Sequence, residues 1–314
     1  MSDQLKGLII TTLGVLCVVP DALFIRLIEA NAMTVAFWRL LLSGLVILLM
    51  VLIQHGKHTP AKIVAIGRWG VLYAFLAAAS ALLFVTSVKL TTVANTTVIL
   101  ASMPVFAALI SWLVLGETPS RRTLWTIALV VVGLLVIGYG TYTNDTGTDD
   151  TGTDSAGSDG TGSSTGATLT GDLAALAASF CFAIALTAAR KARAKSMIPA
   201  LPLAYFVCAL LLVPFVDPLS IPDHQWWLVA MHGGFFVALS SSLLALGPRY
   251  IASAEVALLI LMESILAPLL VWFVVGEEPG FWTLIGGALV LGVLCVSNVV
   301  ALRNSSRRSY QSVS

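Results

Sequence analysis

Long apolar runs separated by short polar segments extend over almost the whole sequence. A helix needs about 20 apolar residues to cross the hydrocarbon core of a bilayer. The pattern therefore predicts ten membrane-spanning helices, of which the fifth and seventh are short. The predicted spans are approximately Leu5–Leu27, Ala32–Ile53, Trp69–Lys89, Val93–Leu115, Leu124–Tyr139, Leu169–Ala189, Leu201–Val216, Trp226–Leu246, Ala254–Val275 and Phe281–Leu302.

The composition supports the same interpretation. Hydrophobic residues make up 58% of the chain and charged residues only 11%, with a mean hydropathy of +0.95. A soluble domain needs more charge to cover its surface, and a net charge of +1 gives no reason to expect a nucleic-acid partner. The first run exceeds the roughly 7–15 apolar residues of a signal peptide, and Pro20 interrupts it, so we treat it as a retained span. The predicted fold is an all-α polytopic membrane protein embedded in a lipid bilayer.

One short motif occurs twice. Trp112–Pro119 reads WLVLGETP, and 160 residues later Trp272–Pro279 reads WFVVGEEP. In each copy the Gly suits the position just after a helix, and the Pro suits the first turn of the next helix. The Glu suits the positive N-terminus of that next helix, so Glu117 and Glu277 are predicted to be structural.

A stretch of different composition separates the two copies. Residues Gly140–Gly171 are mostly Gly, Ser, Thr and Asp and contain no Lys or Arg, which is typical of a disordered linker. The predicted domains are a five-helix repeat at 1–140, the linker at 141–168, a second five-helix repeat at 169–303 and a cytoplasmic tail at 304–314. Because five is odd, the second repeat enters the membrane from the opposite side. Such inverted repeats are typical of many secondary transporters.

The distribution of charge predicts the orientation. With the N-terminus placed in the cytoplasm, most of the 17 Lys and Arg residues fall in cytoplasmic loops, whereas the acidic linker falls outside. Cytoplasmic loops of membrane proteins carry such an excess of basic residues. We therefore expect a multi-pass protein of the cell (cytoplasmic) membrane with both termini in the cytoplasm.

Several motifs resemble the EamA type of the drug/metabolite transporter (DMT) superfamily. They are PDALFIRL (Pro20–Leu27), FWRLLLSGL (Phe37–Leu45), the repeated Gly-Glu-x-Pro motif and the glycine-bearing LIGGALVLGVL (Leu284–Leu294). The resemblance covers the whole chain except the long linker, which is unusual in that family. Family members commonly have Pro directly after the position of Glu263, where this chain has Ser264. The resemblance implies a secondary transporter that exports amino acids or related small polar metabolites.

Charged residues inside the predicted spans are the first candidates for a functional site. A charge within the bilayer is costly, so it is usually paired or faces a cavity. Asp21 and Arg39 lie at similar depths, about 10 Å below the outer ends of the first and second spans at a rise of about 1.5 Å per residue. They are expected to meet across the hairpin. Two interpretations of this pair are compatible with the sequence. It is either a structural ion pair, or a pair that separates to hold a charged or zwitterionic substrate.

Three further side chains are candidate substrate-binding residues. Glu263 lies near the middle of the ninth span without an obvious partner, so it is either a site for a proton or a substrate, or a protonated structural Glu. His232 in the eighth span is either a hydrogen-bonding histidine or a proton relay. Trp38, beside Arg39, lies several residues deep in the second span, unlike the other tryptophans, which occupy interfacial positions.

Prolines are predicted to break helices near this candidate site. Pro20 lies beside Asp21, whereas Pro104 and Pro268 are predicted to interrupt the fourth and ninth spans. The offset of 160 residues maps Pro104 to Ser264, one turn before Pro268. Breaks at related places in two repeats indicate a binding site near the middle of the bilayer.

The predicted function is a secondary transporter of small polar metabolites that works by alternating access, with protons as a candidate coupling ion. The sequence has no nucleotide-binding motif, no metal-ligand spacing and no set of catalytic residues, so we expect no cofactor, metal or enzymatic activity. A non-transporting membrane assembly or sensor protein is the main alternative, and an intramembrane enzyme is another. Monomer and homodimer are both compatible with the sequence.

Overall fold

Helices and their connections account for the part of the chain that the structure describes. The computed structural model describes residues 3–59, 66–115, 121–146, 165–191, 198–246 and 253–311, and no strand occurs among them. Numbered in chain order, the helices are α1 (Asp3–Val18), α2 (Asp21–Leu27), α3 (Ala32–His55), α4 (Gly67–Leu90), α5 (Val93–Leu100), α6 (Met103–Leu115), α7 (Arg121–Thr146), α8 (Thr165–Lys191), α9 (Leu201–Leu212), α10 (Trp226–Val229), α11 (Ala238–Leu246), α12 (Ser253–Val275) and α13 (Phe281–Gln311). A π-helical segment, Ala230–Val237, joins α10 to α11. Short 3₁₀ turns lie at Gly56–His58, Ile198–Ala200, Val213–Phe215 and Asp223–Gln225.

Many of these helices are long and apolar enough to cross a membrane. Among the described residues, five segments meet both criteria: Leu5–Leu27, Ala32–His55, Gly67–Leu90, Ile198–Phe215 and Asp223–Leu246. Four shorter apolar helices lie at Leu124–Gly140, Leu169–Ala185, Met262–Val275 and Phe281–Val296. The predicted multi-pass helical architecture is confirmed at this level, whereas the number of ten spans stays a prediction.

Two of the three predicted breaks are present. The first span divides into α1 and α2 at Val19–Pro20, and the fourth span divides into α5 and α6 at Ala101–Ser102. Pro104 is the second residue of α6, where a missing N–H group costs little.

The prediction that Pro268 interrupts the ninth span is wrong, because α12 continues through it from Ser253 to Val275. A proline removes one helical hydrogen bond, but the turns on either side and the neighbouring helices hold a membrane helix together.

The helix termini that flank residues 147–164 lie at one end of the helix bundle. We call this end the linker end. Tyr139 near the end of α7 contacts Trp282 at the start of α13, with 5.5 Å between ring centroids. Asp172 near the start of α8 accepts a hydrogen bond from the Thr91 hydroxyl, which lies between α4 and α5, at 2.8 Å. Helix α7 continues to Thr146 and α8 begins at Thr165, so both helices extend into the stretch predicted to be linker. Adding residues to an existing helix is easier than starting one.

The described part of the first copy of the repeated motif lies on a helix that runs away from the second copy. The second copy lies at the linker end, where Glu277 contacts Val93 at the start of α5. Helix α6, which carries Trp112 of the first copy, runs away from the linker end alongside α8, since Phe106 packs against Phe180 at 5.8 Å between centroids. Residues 116–120 of the first copy lie outside the described residues. The inverted orientation of the two repeats stays a prediction.

Close helix packing joins the two repeats. The hydroxyl of Ser80 in α4 donates a hydrogen bond to the carbonyl oxygen of Ala178 in α8 at 2.9 Å. At a second contact, Gly133 of α7 and Gly286 of α13 meet so closely that a Cβ atom at Gly286 would lie 2.7 Å from the Gly133 carbonyl oxygen. Small residues allow backbones to approach in this way inside membranes. The repeats therefore pack on each other directly.

Candidate functional site

A buried ion pair joins the first and second spans. Asp21 is the first residue of α2, directly after the break at Pro20, and Arg39 lies on the buried face of α3. The Nη2 atom of Arg39 lies 2.6 Å from Asp21 Oδ2, and its Nε atom lies 3.2 Å from Oδ1. Only 9% of the Arg39 side chain and 2% of the Asp21 side chain are exposed. The predicted pairing of Asp21 with Arg39 is confirmed.

His232 is the third member of this cluster. Its Nε2 atom lies 2.5 Å from Asp21 Oδ1, so one carboxylate oxygen contacts both Arg39 and His232. The imidazole is buried and stacks on the ring of Phe24 with 5.8 Å between centroids. His232 is therefore a hydrogen-bonded histidine of the candidate site. Its role as a proton relay stays a prediction.

The backbone around His232 places the imidazole at Asp21. His232 and Gly233 belong to the π-helical segment Ala230–Val237, and π-helical turns are rare and frequently lie at functional sites. Gly233 packs directly on α3, since a Cβ atom there would lie 3.0 Å from Leu42 Cβ and 3.1 Å from the Trp38 carbonyl oxygen. The glycine thus lets the π-helical segment approach α3 closely enough for its neighbour, His232, to reach the ion pair.

We expect Gly233→Ala to destabilise the protein. The added methyl group would lie 3.2 Å from the Arg39 Cα atom as well as close to the Trp38 backbone, and backbone atoms cannot move aside as the tip of a flexible side chain can. Such overpacking typically costs about 1–3 kcal/mol. The measurement is the midpoint of thermal unfolding in detergent. Gly234→Ala is the matched control, because nothing lies within 4 Å of a Cβ atom at Gly234. Equal losses in the two variants would contradict the packing role of Gly233.

Glu263 and Tyr205 approach the cluster from the second repeat. Glu263, in α12, is partly buried, and its carboxyl group interacts electrostatically with Asp21 and Arg39. Within the described part of the chain its side chain makes no hydrogen bond. Tyr205, in α9, is buried and interacts electrostatically with Arg39. The sequence reasoning missed Tyr205, although a polar phenol inside the short seventh span was an available signal.

Trp38 makes different contacts from its neighbour Arg39. Its Nε1 atom donates a hydrogen bond to the carbonyl oxygen of Pro218 at 2.9 Å. Its ring packs edge-on against Trp226 with 5.1 Å between centroids. These contacts join α3 to the start of the eighth span. Among the described residues, no side-chain hydrogen bond or ring contact joins Trp38 to the ion pair. Its predicted role in substrate binding stays a prediction.

The chemistry of the cluster permits an exchange of anions on Arg39. A planar guanidinium group binds a carboxylate through two parallel hydrogen bonds, and Asp21 occupies that position in this structure. Removing one partner of a buried pair costs about 3–5 kcal/mol, so Asp21 can leave Arg39 only when another anion takes its place. The displaced carboxylate would still have His232 as a partner. The cluster can therefore hold a second carboxylate while each carboxylate keeps a hydrogen-bonding partner.

Comparisons with known proteins agree with this membrane architecture. The model of the EamA-like transporter family matches residues 5–139 and, a second time, residues 169–299. No curated protein matches the chain. A solved structure, described only as the crystal structure of a protein, has a TM-score of 0.60 and 16% sequence identity and covers 95% of this chain and 99% of its own, a likeness that shows the fold alone. Because the family model matches both helical repeats, this chain belongs to the EamA-like transporter family.

Proposed function

We propose that this protein is a secondary transporter that moves small polar metabolites, such as amino acids or related compounds, across the cell membrane by alternating access. Membership of the EamA-like family supports a transporter of the DMT type. The observation that carries the finer proposal is the buried cluster of Asp21, Arg39 and His232, which joins the two repeats beside a break in the first span. Alternating access uses such a site, contacted by two repeats that move against each other.

A zwitterionic substrate fits the charges of the cluster. Arg39 binds the substrate carboxylate in the position that Asp21 otherwise occupies. Glu263 interacts electrostatically with both members of the pair and makes no hydrogen bond within the described residues, so it is available to an ammonium group or a proton. Each charged group of an amino acid thus meets a side chain of opposite charge, which offsets the cost of moving both groups into the membrane.

The test is substrate flux in liposomes that contain the purified protein. Vesicles loaded with amino acids, nucleosides or small cationic drugs are compared for exchange of labelled compound, and we expect exchange of zwitterionic amino acids. Arg39→Gln should abolish that exchange, whereas Arg68→Gln should not, because Arg68 is exposed beside Trp69. Absence of exchange for every class with folded protein would contradict the proposal and favour a non-transporting assembly or sensor protein.

The proposed direction is export, with both termini in the cytoplasm and the linker outside. We expect a Ser158→Cys substitution in the linker to react with an impermeant thiol reagent added to intact cells, in a chain whose native Cys17, Cys181, Cys208 and Cys295 are replaced by Ser. Ser305→Cys in the C-terminal tail is the matched control and should react only after lysis. The reverse pattern of labelling would contradict the proposed orientation.

A further inference from the structure

We propose that α2 and α5 form a gate that closes the substrate site at the linker end, and that the side chain of Glu277 holds this gate shut. The inference rests on the proposed transport function and concerns access to the same site. We call α2 and α5 the gate helices.

Both gate helices are short pieces that are separated from the rest of their spans. Helix α2 has 7 residues and follows the break at Val19–Pro20, whereas α5 has 8 residues and precedes the break at Ala101–Ser102. Each break lies at the end of the gate helix that is farther from the linker end. A helix piece next to such a break can turn as a rigid body without unwinding, and element-terminal residues commonly act as hinges.

Hydrogen bonds join α2 to the end of α4 and to the connection that leads into α5. Arg26 near the end of α2 donates a short hydrogen bond to the carbonyl oxygen of Thr91, which lies between α4 and α5. Lys89 in the last turn of α4 donates a hydrogen bond to the carbonyl oxygen of Ile28, directly after α2, at 2.7 Å. A movement of α2 is therefore transmitted to the start of α5.

Glu277 binds both gate helices from the opposite repeat. Its Oε1 atom accepts a hydrogen bond from the backbone N–H of Val93, the first residue of α5, at 2.7 Å. Its Oε2 atom lies 2.8 Å from the Nε atom of Arg26. A carboxylate at the free N–H groups of a helix N-terminus is stabilising. Gly276, whose φ is +78°, permits the left-handed turn after α12 that precedes Glu277. One side chain of the second repeat thus fastens two short helices of the first.

These contacts are suited to repeated opening. About one fifth of each side chain is exposed, 22% for Arg26 and 20% for Glu277. The Nε atom of Arg26 has no hydrogen-bond partner among the described residues, so its contact with Oε2 is an ion pair without a directed hydrogen bond. The pair of Arg26 and Glu277 is more exposed than the pair of Asp21 and Arg39 and lacks its directed hydrogen bonds. The contact of Arg26 with Glu277 is therefore the easier of the two ion pairs to separate.

The gate is coupled to the substrate site because Asp21 is the first residue of α2. Turning α2 about Pro20 changes the position of Asp21 relative to Arg39, which belongs to the unbroken α3. A substrate carboxylate that replaces Asp21 on Arg39 removes the main polar contact between α2 and α3. Substrate occupancy and gate position must therefore affect each other equally, as linkage requires.

The experiment measures how readily a thiol at the buried inner end of a gate helix reacts. Ala22→Cys is introduced into the chain without native cysteines, because Ala22 adjoins Asp21 and is 2% exposed. An impermeant thiol reagent is added to vesicles from the linker side, and Ser158→Cys in the linker identifies the vesicle orientation. We expect Glu277→Gln to raise the rate of reaction at this position about fivefold, the effect of losing one ion pair and weakening one helix cap. Arg26→Gln leaves the contact of Glu277 with Val93 in place but also removes the hydrogen bond to Thr91, so it should raise the rate as well.

Two controls make the outcome decisive. Glu278→Gln removes the adjacent, exposed carboxylate and should leave the rate unchanged. Ala178→Cys reports on a buried position of α8 outside the gate and should react equally slowly in all variants. The gate proposal would be overturned if the thiol at position 22 reacted at the same rate in the Glu277→Gln and Glu278→Gln proteins. It would also be overturned if Glu277→Gln raised the reaction rate at positions 22 and 178 alike.

The assay contains no substrate, so its result is independent of flux. If the protein transports substrate but Glu277→Gln leaves the thiol reaction rate unchanged, only the gate proposal is contradicted. If Glu277→Gln raises that rate in a protein that transports none of the compounds, only the transport proposal is contradicted.

Discussion

Replacing Asp21 by Asn is expected to remove most of the folded protein from the membrane, whereas replacing Asp21 and Arg39 together should restore part of it. Asn cannot neutralise the guanidinium group of Arg39, which is buried and permanently charged. An uncompensated buried charge costs about 3–5 kcal/mol, a large fraction of the stability of most proteins. Arg39→Gln in the same chain removes that charge, so the remaining loss is one of hydrogen bonding and packing.

The measurement is a double-mutant cycle on the amount and thermal stability of monodisperse protein extracted in mild detergent. The four proteins are the wild type, Asp21→Asn, Arg39→Gln and the double variant. Asp223→Asn is the matched control, because Asp223 is exposed in the turn Asp223–Gln225. Strictly additive losses in the double variant would contradict an energetic coupling between Asp21 and Arg39.

The double variant also separates folding from transport. We expect recovered protein that carries no flux, because no cation remains at position 39 to bind a substrate carboxylate. Flux at the wild-type rate would show that the pair is a structural link between α2 and α3 and would move the substrate site elsewhere.

Local geometry explains why the sequence was enough to predict the ion pair. Asp21 and Arg39 are 18 residues apart on either side of one turn, so depth along two neighbouring helices decides whether they meet. His232 is 211 residues from Asp21, and its contact depends on a π-helical turn and on the close approach of Gly233 to α3. Neither feature changes the hydrophobic pattern, so sequence reasoning could name His232 as polar and buried but could not name its partner.

Glu277 shows the same limit at a longer range. The repeated motif predicted that its carboxylate stabilises the helix that follows, which begins at Phe281. In the structure the carboxylate binds the N–H group of Val93 at the start of α5, 184 residues away in the chain. The physical principle, an anion at a helix N-terminus, was correct. The packing of the two repeats decides which helix N-terminus binds the carboxylate. The spacing of a motif carries no information about that packing.

Replacing Glu263 by Gln is expected to abolish the pH dependence of transport while leaving the amount and thermal stability of folded protein nearly unchanged. Gln has the shape of a protonated Glu and can make similar hydrogen bonds, but it cannot exchange a proton. The side chain makes no hydrogen bond within the described residues, so few contacts are lost. The measurement is flux over a series of external pH values. Glu278→Gln, at an exposed carboxylate, should keep the wild-type profile.

The physical reason lies in the neighbours of Glu263. Pro268, inside α12, cannot donate the backbone hydrogen bond that the Ser264 carbonyl oxygen would otherwise accept, so that oxygen, next to Glu263 in the chain, lacks its usual helical partner. Among the described residues, the Glu263 carboxyl interacts with the charged groups of Asp21 and Arg39. A carboxyl group that binds the ammonium group of an amino acid cannot hold a proton at the same time, so the substrate and the proton compete for Glu263. Loss of the substrate lets the proton return, so one proton can be exchanged for each substrate molecule. A Glu263→Gln variant with the wild-type pH profile would remove Glu263 from the coupling and leave it a structural side chain.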